Sequence, residues 1–172
     1  MGYLGKLNKN KGIEDLIDVY EKLLKKENFN KLEPNLLIGG VGSKNYIRSI
    51  NKRISNKNIQ FLGYVEDRNN FFNSIKVFIF PSYSEGLGLV LLEAMSHGVL
   101  CITRDVTPMN SIIKNGENGF LFKDNNELIE KIEKAINMNS SEKDKIVKSA
   151  LEKIEKSYSI MQMYLSIDKA YN

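Results

Sequence analysis

The chain has 172 residues, 42 % hydrophobic and 27 % charged, enough for one domain with a full core and ordinary for a globular protein. A formal net charge of +4, carried by lysines spread along the chain, makes no basic patch and argues against a nucleic-acid partner. The single cysteine allows neither an internal disulfide nor a structural zinc site, no apolar run approaches the ~20 residues that span a bilayer, and no signal peptide opens the sequence.

Strand-like residues begin almost at once, with Tyr3-Leu4, as expected of a domain excised from a longer chain. "GIEDLIDVYEKLLKKE" then places Ile13, Leu16, Ile17, Tyr20, Leu23 and Leu24 on one face at helical spacing. "NLLIGG" is a short apolar strand ending in glycine, and "NYIRSINKRI" repeats the helical period through Ile47, Ile50 and Ile54. "IQFLGYV" is a strand, and "DRNNFFNSI" a short helix with Asp67 as its cap. "VFIFPS" is an apolar strand stopped by Pro81; "GLVLLEAMSHG" is a helix stopped by Gly98.

"VLCITRD" is the next strand, and its apolar neighbours make Cys101 a core residue of a protein in a reducing compartment. "PMNSIIKNG" is a short helix with Pro108 at its start, "GFLF" a strand, and "NELIEKIEKAINM" a helix with Asn126 as the candidate cap. Two more helices, 142–156 and 160–170, are expected in the tail, the second with an apolar face for a partner domain. No repeat or low-complexity linker interrupts the series. Short apolar strands alternating with helices predict an α/β fold. It is a doubly wound, Rossmann-like parallel sheet of about six strands with C-terminal helices, forming one domain over residues 1–172. Ligands of such sheets bind beyond the carboxyl ends of the strands.

Three strand-to-helix turns are therefore informative. "GKLNKNKG" follows the first strand; Gly5 permits a tight turn, and Lys6 and Lys11 flank a polar loop, placed to meet one anion or simply to be solvated. "GGVGS", 39–43, lacks the third glycine of the dinucleotide fingerprint and the Lys-Ser/Thr end of a P-loop, so it reads as a backbone turn. It disfavours a dehydrogenase or epimerase. "SEGLGLVLLEAMSHG" places a two-glycine turn before a helix whose first amides have no intrahelical acceptor, a site for an anion. Glu85 would repel that anion and suits sugar hydroxyls instead; Glu93, in an apolar helix, needs a partner. Taken alone, the two read rather as a turn cap and a structural ion pair.

"PSYSEGLGLVLLEAMSHGV" resembles the E-x7-E segment of the retaining GT-B glycosyltransferases, group 1, which include glycogen and sucrose synthases and bacterial cell-surface enzymes. "GKLNKNKGIEDLI", "LLIGGVGS", "IQFLGYV" and "NGENGFLF" resemble other segments of that family in the same order, over nearly the whole chain. The resemblance implies the C-terminal, nucleotide-sugar-binding half of a two-domain enzyme without its N-terminal acceptor domain, inactive when isolated. It implies that Lys6 and Lys11 bind the donor diphosphate together with amides around Gly88, Leu89 and Val90. Glu85 would hold donor-sugar hydroxyls with the amides of Leu87 and Gly88; the neighbouring Gly5 and Gly86 complete this contact. Glu93 would hold the ribose hydroxyls, and the turn at Gly63, Tyr64 and Val65 would lie beside the base.

It further implies a metal-independent hexosyl transfer to a saccharide or lipid-linked acceptor in cell-surface polysaccharide synthesis. No cofactor and no metal are expected beyond the nucleotide-sugar substrate. The cell compartment expected is the cytoplasm, with peripheral association of the full-length enzyme at the inner membrane face left open. Three departures stand out: Lys6 replaces the usual Arg, "TPMNS" replaces the usual Gly-Gly-x-Pro-Glu loop, and Arg104 adds a charge nearby. They leave a non-catalytic nucleotide-sugar-binding module as the alternative. His97, the only histidine, reads as structural.

Overall fold

The computed structural model describes residues 1–32 and 34–158. Six strands, β1 (Gly2–Leu4), β2 (Leu36–Gly39), β3 (Ile59–Gly63), β4 (Val77–Phe80), β5 (Leu100–Arg104) and β6 (Phe120–Phe122), form one parallel sheet in the order β3-β2-β1-β4-β5-β6. Strand order reverses between β1 and β4, and there the register is a single pair, Gly2 opposite Phe78. Past that pair β1 and β4 no longer match, and the crevice between their carboxyl ends is the place where open α/β sheets take ligands.

The predicted face of the first helix is the observed one; in the helix over residues 44–51 the buried residues are Tyr46 and Ile50, with Ile47 partly buried and Ile54 past the helix end. Helix α1 (Ile13–Leu24) buries Ile13, Leu16, Ile17, Tyr20, Leu23 and Leu24, each worth about 1.5–3 kcal/mol by transfer from water. It ends at Leu24, three residues before the end of the helical segment read over 12–27, and a short α2 (Glu27–Asn30), not expected from the sequence, buries Phe29 edge-on against Tyr20. Helix α3 (Lys44–Asn51) is capped by Ser43, and α4 (Arg68–Ser74) by Asp67, whose carboxylate accepts from the Asn70 amide at 2.8 Å. Helix α5 (Leu89–Ser96) follows β4, and the short α6 (Met109–Ile112) follows β5.

In α7 (Asn125–Asn137) the cap is Asp124, accepting from the amides of Asn126 and Glu127, not the expected Asn126. An ionised carboxylate two residues earlier matches the helix dipole better than the carboxamide does. The tail forms α8 (Ser140–Tyr158), longer at both ends than the expected 142–156; the second expected helix, 160–170, lies outside the described residues. Helix α1 packs against α7, and α5 against α8, on opposite faces of the sheet. Among the described residues no helix is long and apolar enough to cross a membrane.

Candidate nucleotide-sugar site

The loop after β1 is laced to its neighbours on both sides. Gly5 donates to Gly39 at the end of β2 and Leu7 to Val41 just beyond it, at 3.1 and 2.8 Å. A Cβ on Gly40 would fall 1.7 Å from the Gly5 carbonyl oxygen, so "GGVGS" serves close backbone packing, as its sequence suggested. On the other side Tyr83 donates to Asn10 at 2.9 Å. Gly12, at φ 65°, lies so close to Pro81 that a Cβ would meet that carbonyl oxygen at 2.3 Å. Within the loop a 3-10 turn, Lys9–Lys11, is capped by Asn8. Lys6 and Lys11 are thereby carried to the carboxyl ends of β1 and β4.

Both lysines line one cavity of about 480 Å³ together with Glu85 and the turn from Gly86 to Val90. Gly5 lies in its wall as well. Gly88, at φ 64°, opens α5, and its carbonyl takes the amides of Leu91 and Leu92 at 2.8 and 3.2 Å. The amides of Leu89 and Val90 precede that first bond and carry the positive end of the helix. The cavity is thus cationic at one wall and rich in amide donors at the other. Lys6 is exposed and makes no ion pair among the described residues.

Lys11 and Glu85 form a half-buried ion pair at 2.6 Å. The same carboxylate oxygen, Oε1, accepts from Ser82 Oγ at 2.8 Å, and no donor among the described residues reaches Oε2. Glu85 is therefore held by one oxygen and offers the other to the cavity. The Lys11 ammonium has three protons; Glu85 takes one and the Ser84 carbonyl lies at 3.5 Å. The sequence did not single out Tyr3. Buried on β1, it donates its hydroxyl to the Lys6 carbonyl at 3.0 Å and so fixes the lysine's backbone. Burial first, then the Glu85 charge, pushes its hydroxyl far up, so it remains a donor.

Glu93, Tyr64 and Val65 lie outside this cavity. Glu93 is ion-paired with Arg68 through two hydrogen bonds, Nε to Oε1 at 2.6 Å and Nη2 to Oε2. That hydrogen bond raises the Arg68 pKa, against burial, with the charges of Glu93 and Tyr64 adding to it. Tyr64 is 77 % exposed and within electrostatic reach of Arg68; half-buried Val65 packs over Gly39. His97 is a clamp: Nδ1 donates to the Glu93 carbonyl at 2.8 Å, Nε2 meets the Asn69 carboxamide at 2.9 Å, and the ring packs on Phe72.

Arg104 does not face the cavity as a loose charge. It is buried, and donates to the Pro81 and Lys123 carbonyls, each at 3.0 Å, and to Asp15 at 2.7 Å. Its guanidinium lies over the Tyr83 ring at 4.1 Å, and the Tyr83 hydroxyl also donates to Asp15. It thus ties the turn that carries Glu85 to the start of α1. In "TPMNS", Met109 is fully buried, with its sulfur 3.3 Å from where a Gly88 Cβ would sit. This loop supports the α5 turn by packing.

The strand order 3-2-1-4-5-6 is that of a doubly wound sheet, and the crevice lies at its switch point, where such sheets take ligands. Residues 1–153 match the family described as Glycosyl transferases group 1, and the chain belongs to that family. CapM of Staphylococcus aureus, a capsular polysaccharide biosynthesis glycosyltransferase, is 32 % identical over 100 % of this chain and 45 % of its own length. TarM of Staphylococcus aureus, solved with fondaparinux, alpha-GlcNAc-glycerol and UDP, superposes with a TM-score of 0.86 at 26 % identity, covering 99 % of this chain and 35 % of that one. The C-terminal domain of the group 1 protein LpcC from Francisella tularensis shares the fold, with a TM-score of 0.76 at 23 % identity over 92 % of this chain and 85 % of that domain. The fold is that of a C-terminal GT-B domain. The chain spans less than half the length of CapM and of TarM.

Proposed function

We propose that residues 1–172 form the donor-binding domain of a retaining, metal-independent glycosyltransferase that uses a UDP-sugar in cell-surface polysaccharide synthesis. The observation that carries the proposal is the convergence of Lys6, Lys11, Glu85 and the first amides of α5 on one cavity. In this reading the lysines and the amides of Leu89 and Val90 take the diphosphate. The free oxygen of Glu85 takes sugar hydroxyls, Glu93 takes the ribose diol, and the exposed Tyr64 with Val65 borders the base.

The chemistry follows from charge. When the bond between the anomeric carbon and the diphosphate oxygen breaks, its electron pair stays on the diphosphate. Preplaced ammonium and amide groups stabilise that charge more than they stabilise the bound donor, so they lower the barrier. The hexosyl group then passes to a saccharide or lipid-linked acceptor. The kinship with CapM and with a UDP-bound TarM supports the UDP-sugar donor and the polysaccharide product.

The acceptor belongs to an N-terminal domain in this reading, and the present domain alone is inactive. Six large apolar side chains, Val41, Leu62, Tyr64, Tyr83, Leu87 and Leu89, are exposed at the carboxyl edge of the sheet, which supports a partner domain closing over the cavity. In this reading the enzyme works on the cytoplasmic side. Isothermal titration with UDP-, GDP- and ADP-sugars tests the proposal. The expected result is binding of the uridine series and loss of it when Lys6 and Lys11 are both replaced by alanine. Binding that is indifferent to that double change contradicts it.

A further inference from the structure

Ser82 is fully buried, and a buried hydroxyl costs stability unless it finds a partner. The other buried polar side chains, Thr103, Arg104 and Asn118, each donate to a backbone carbonyl and so stitch segments of the fold together. Ser82 differs: its hydroxyl donates to a carboxylate of the site, Glu85 Oε1, at 2.8 Å. The backbone on either side of the serine is anchored, because the Pro81 carbonyl takes Arg104 Nε and the Tyr83 amide bonds to Asn10. Glu85, three residues on, has no such support. It lies outside any helix or strand, directly before Gly86 and near Gly88, so side-chain contacts place its carboxylate.

We propose that Ser82 is a positioning residue of the donor-sugar subsite: its hydroxyl pins one oxygen of Glu85, and with it the plane of the carboxylate, leaving the other oxygen to the sugar. The inference rests on the assignment of Glu85 to sugar hydroxyls. A carboxylate offers about four acceptor directions, two on each oxygen. Lys11 and Ser82 both bond Oε1, at 2.6 and 2.8 Å, which uses the two directions on that oxygen and leaves both on Oε2. Lys11 alone does not set this division. An ammonium on a flexible stem is a point charge, which sits between two carboxylate oxygens as readily as on one and would then draw both from the sugar. In the same reading it also serves the diphosphate. The serine is short, its backbone is fixed, and it reaches one place only. Without it the carboxylate turns about its terminal bond, a broad torsion, and each binding event must first select one orientation.

The test is isothermal titration of the 172-residue chain with UDP, UDP-glucose, UDP-galactose and UDP-N-acetylglucosamine, using wild type, S82A, S82C and E85A. The quantity read is the affinity for the UDP-sugar that wild type binds most tightly, divided by the affinity for UDP. S82A is expected to lower this ratio about fivefold, the scale of one net hydrogen bond, and to bind UDP itself within about twofold of wild type. S82C should behave as S82A, because a thiol is a weak donor, and it repeats the comparison at closer volume if alanine impairs folding. E85A should lower the ratio at least as far. Melting temperatures of the serine variants should stay within about 4 °C of wild type, since Glu85 keeps Lys11. A serine that only supports the fold would weaken UDP and the UDP-sugar equally. That result, or an unchanged ratio in either serine variant, overturns the positioning role. If E85A lowers the ratio and the serine variants do not, only that role fails. If E85A leaves the ratio unchanged, the sugar assignment itself falls, and the role of Ser82 with it. Failure of wild type to bind any of the four contradicts the donor reading as a whole.

Discussion

At the scale of single residues the site is governed by one contact, Lys11 with Glu85 at 2.6 Å. The pair is neutral as a unit, so a diphosphate entering the cavity meets Lys11 with its charge already half spent on Glu85. This predicts an asymmetry among variants. K11A removes a cation and also leaves the Glu85 charge facing the phosphates, and should weaken nucleotide binding by about 2–3 kcal/mol; E93A, which removes hydroxyl acceptors only, should cost about 1–2 kcal/mol. Removing Glu85 as well, in K11A/E85A, should restore part of the loss for UDP itself, which carries no sugar. Titration calorimetry on the three variants checks the order. The sequence places Lys6, Lys11 and Glu85 in turns at the sheet edge by strand-helix alternation, and the structure brings these three to one cavity; Glu93, inside α5, lies outside it. Arg68 and Tyr3 were not legible in the sequence. Arg68 lies 25 positions before its partner and meets it only because α4 packs beside α5, and Tyr3 looks like any other strand residue until its hydroxyl finds the Lys6 carbonyl.

At the scale of elements, what positions the site is a set of ties between loops. Gly12 lets the loop after β1 pass over Pro81, and Arg104 joins that same region to α1 and to the end of β6 through three acceptors. R104M should destabilise the domain by about 2–4 kcal/mol, because methionine fills the space but leaves Asp15 and two carbonyls without their donor. The midpoint of urea unfolding measures this. Loss of less than about 0.5 kcal/mol would show that water replaces the guanidinium at no cost. The elements themselves were largely readable from periodicity: the buried face of α1 and the apolar strands match position for position. What periodicity does not encode is where a helix yields to a turn. The end of α1 at Leu24 and the choice of Asp124 over Asn126 are decided by local hydrogen bonds, Lys26 to the Leu23 carbonyl in the one and Asn126 and Glu127 to the Asp124 carboxylate in the other. For the same reason Arg104 looked like an isolated charge, since its partners come from three separate segments.

At the scale of the whole molecule, three tyrosines set the alkaline limit of stability. Tyr3, Tyr20 and Tyr46 are buried, and the hydroxyls of Tyr20 and Tyr46 have no hydrogen-bond partner among the described residues. Burial is the largest cause raising all three, Tyr46 up to about 12, the other two beyond it. In the unfolded chain a tyrosine ionises near pH 10. Above that pH the unfolded state has lost protons that the folded state keeps, so stability falls as pH rises, by about 1.4 kcal/mol per pH unit for each tyrosine. Urea unfolding at pH 9, 10 and 11 should therefore give a level value followed by a steep decline, and a flat profile to pH 11 would contradict the burial of these hydroxyls. The doubly wound sheet that buries them is also what brings the loops after β1 and β4 to one crevice, the feature on which the functional reading depends. A crystal structure of the chain with UDP tests that reading most directly. The diphosphate is predicted to lie within hydrogen-bond distance of the ammonium groups of Lys6 and Lys11 and the amides of Leu89 and Val90. A diphosphate bound instead in the larger cavity of about 650 Å³ between Asn8–Asn10 and Ser43–Ser49, away from the start of α5, would contradict it.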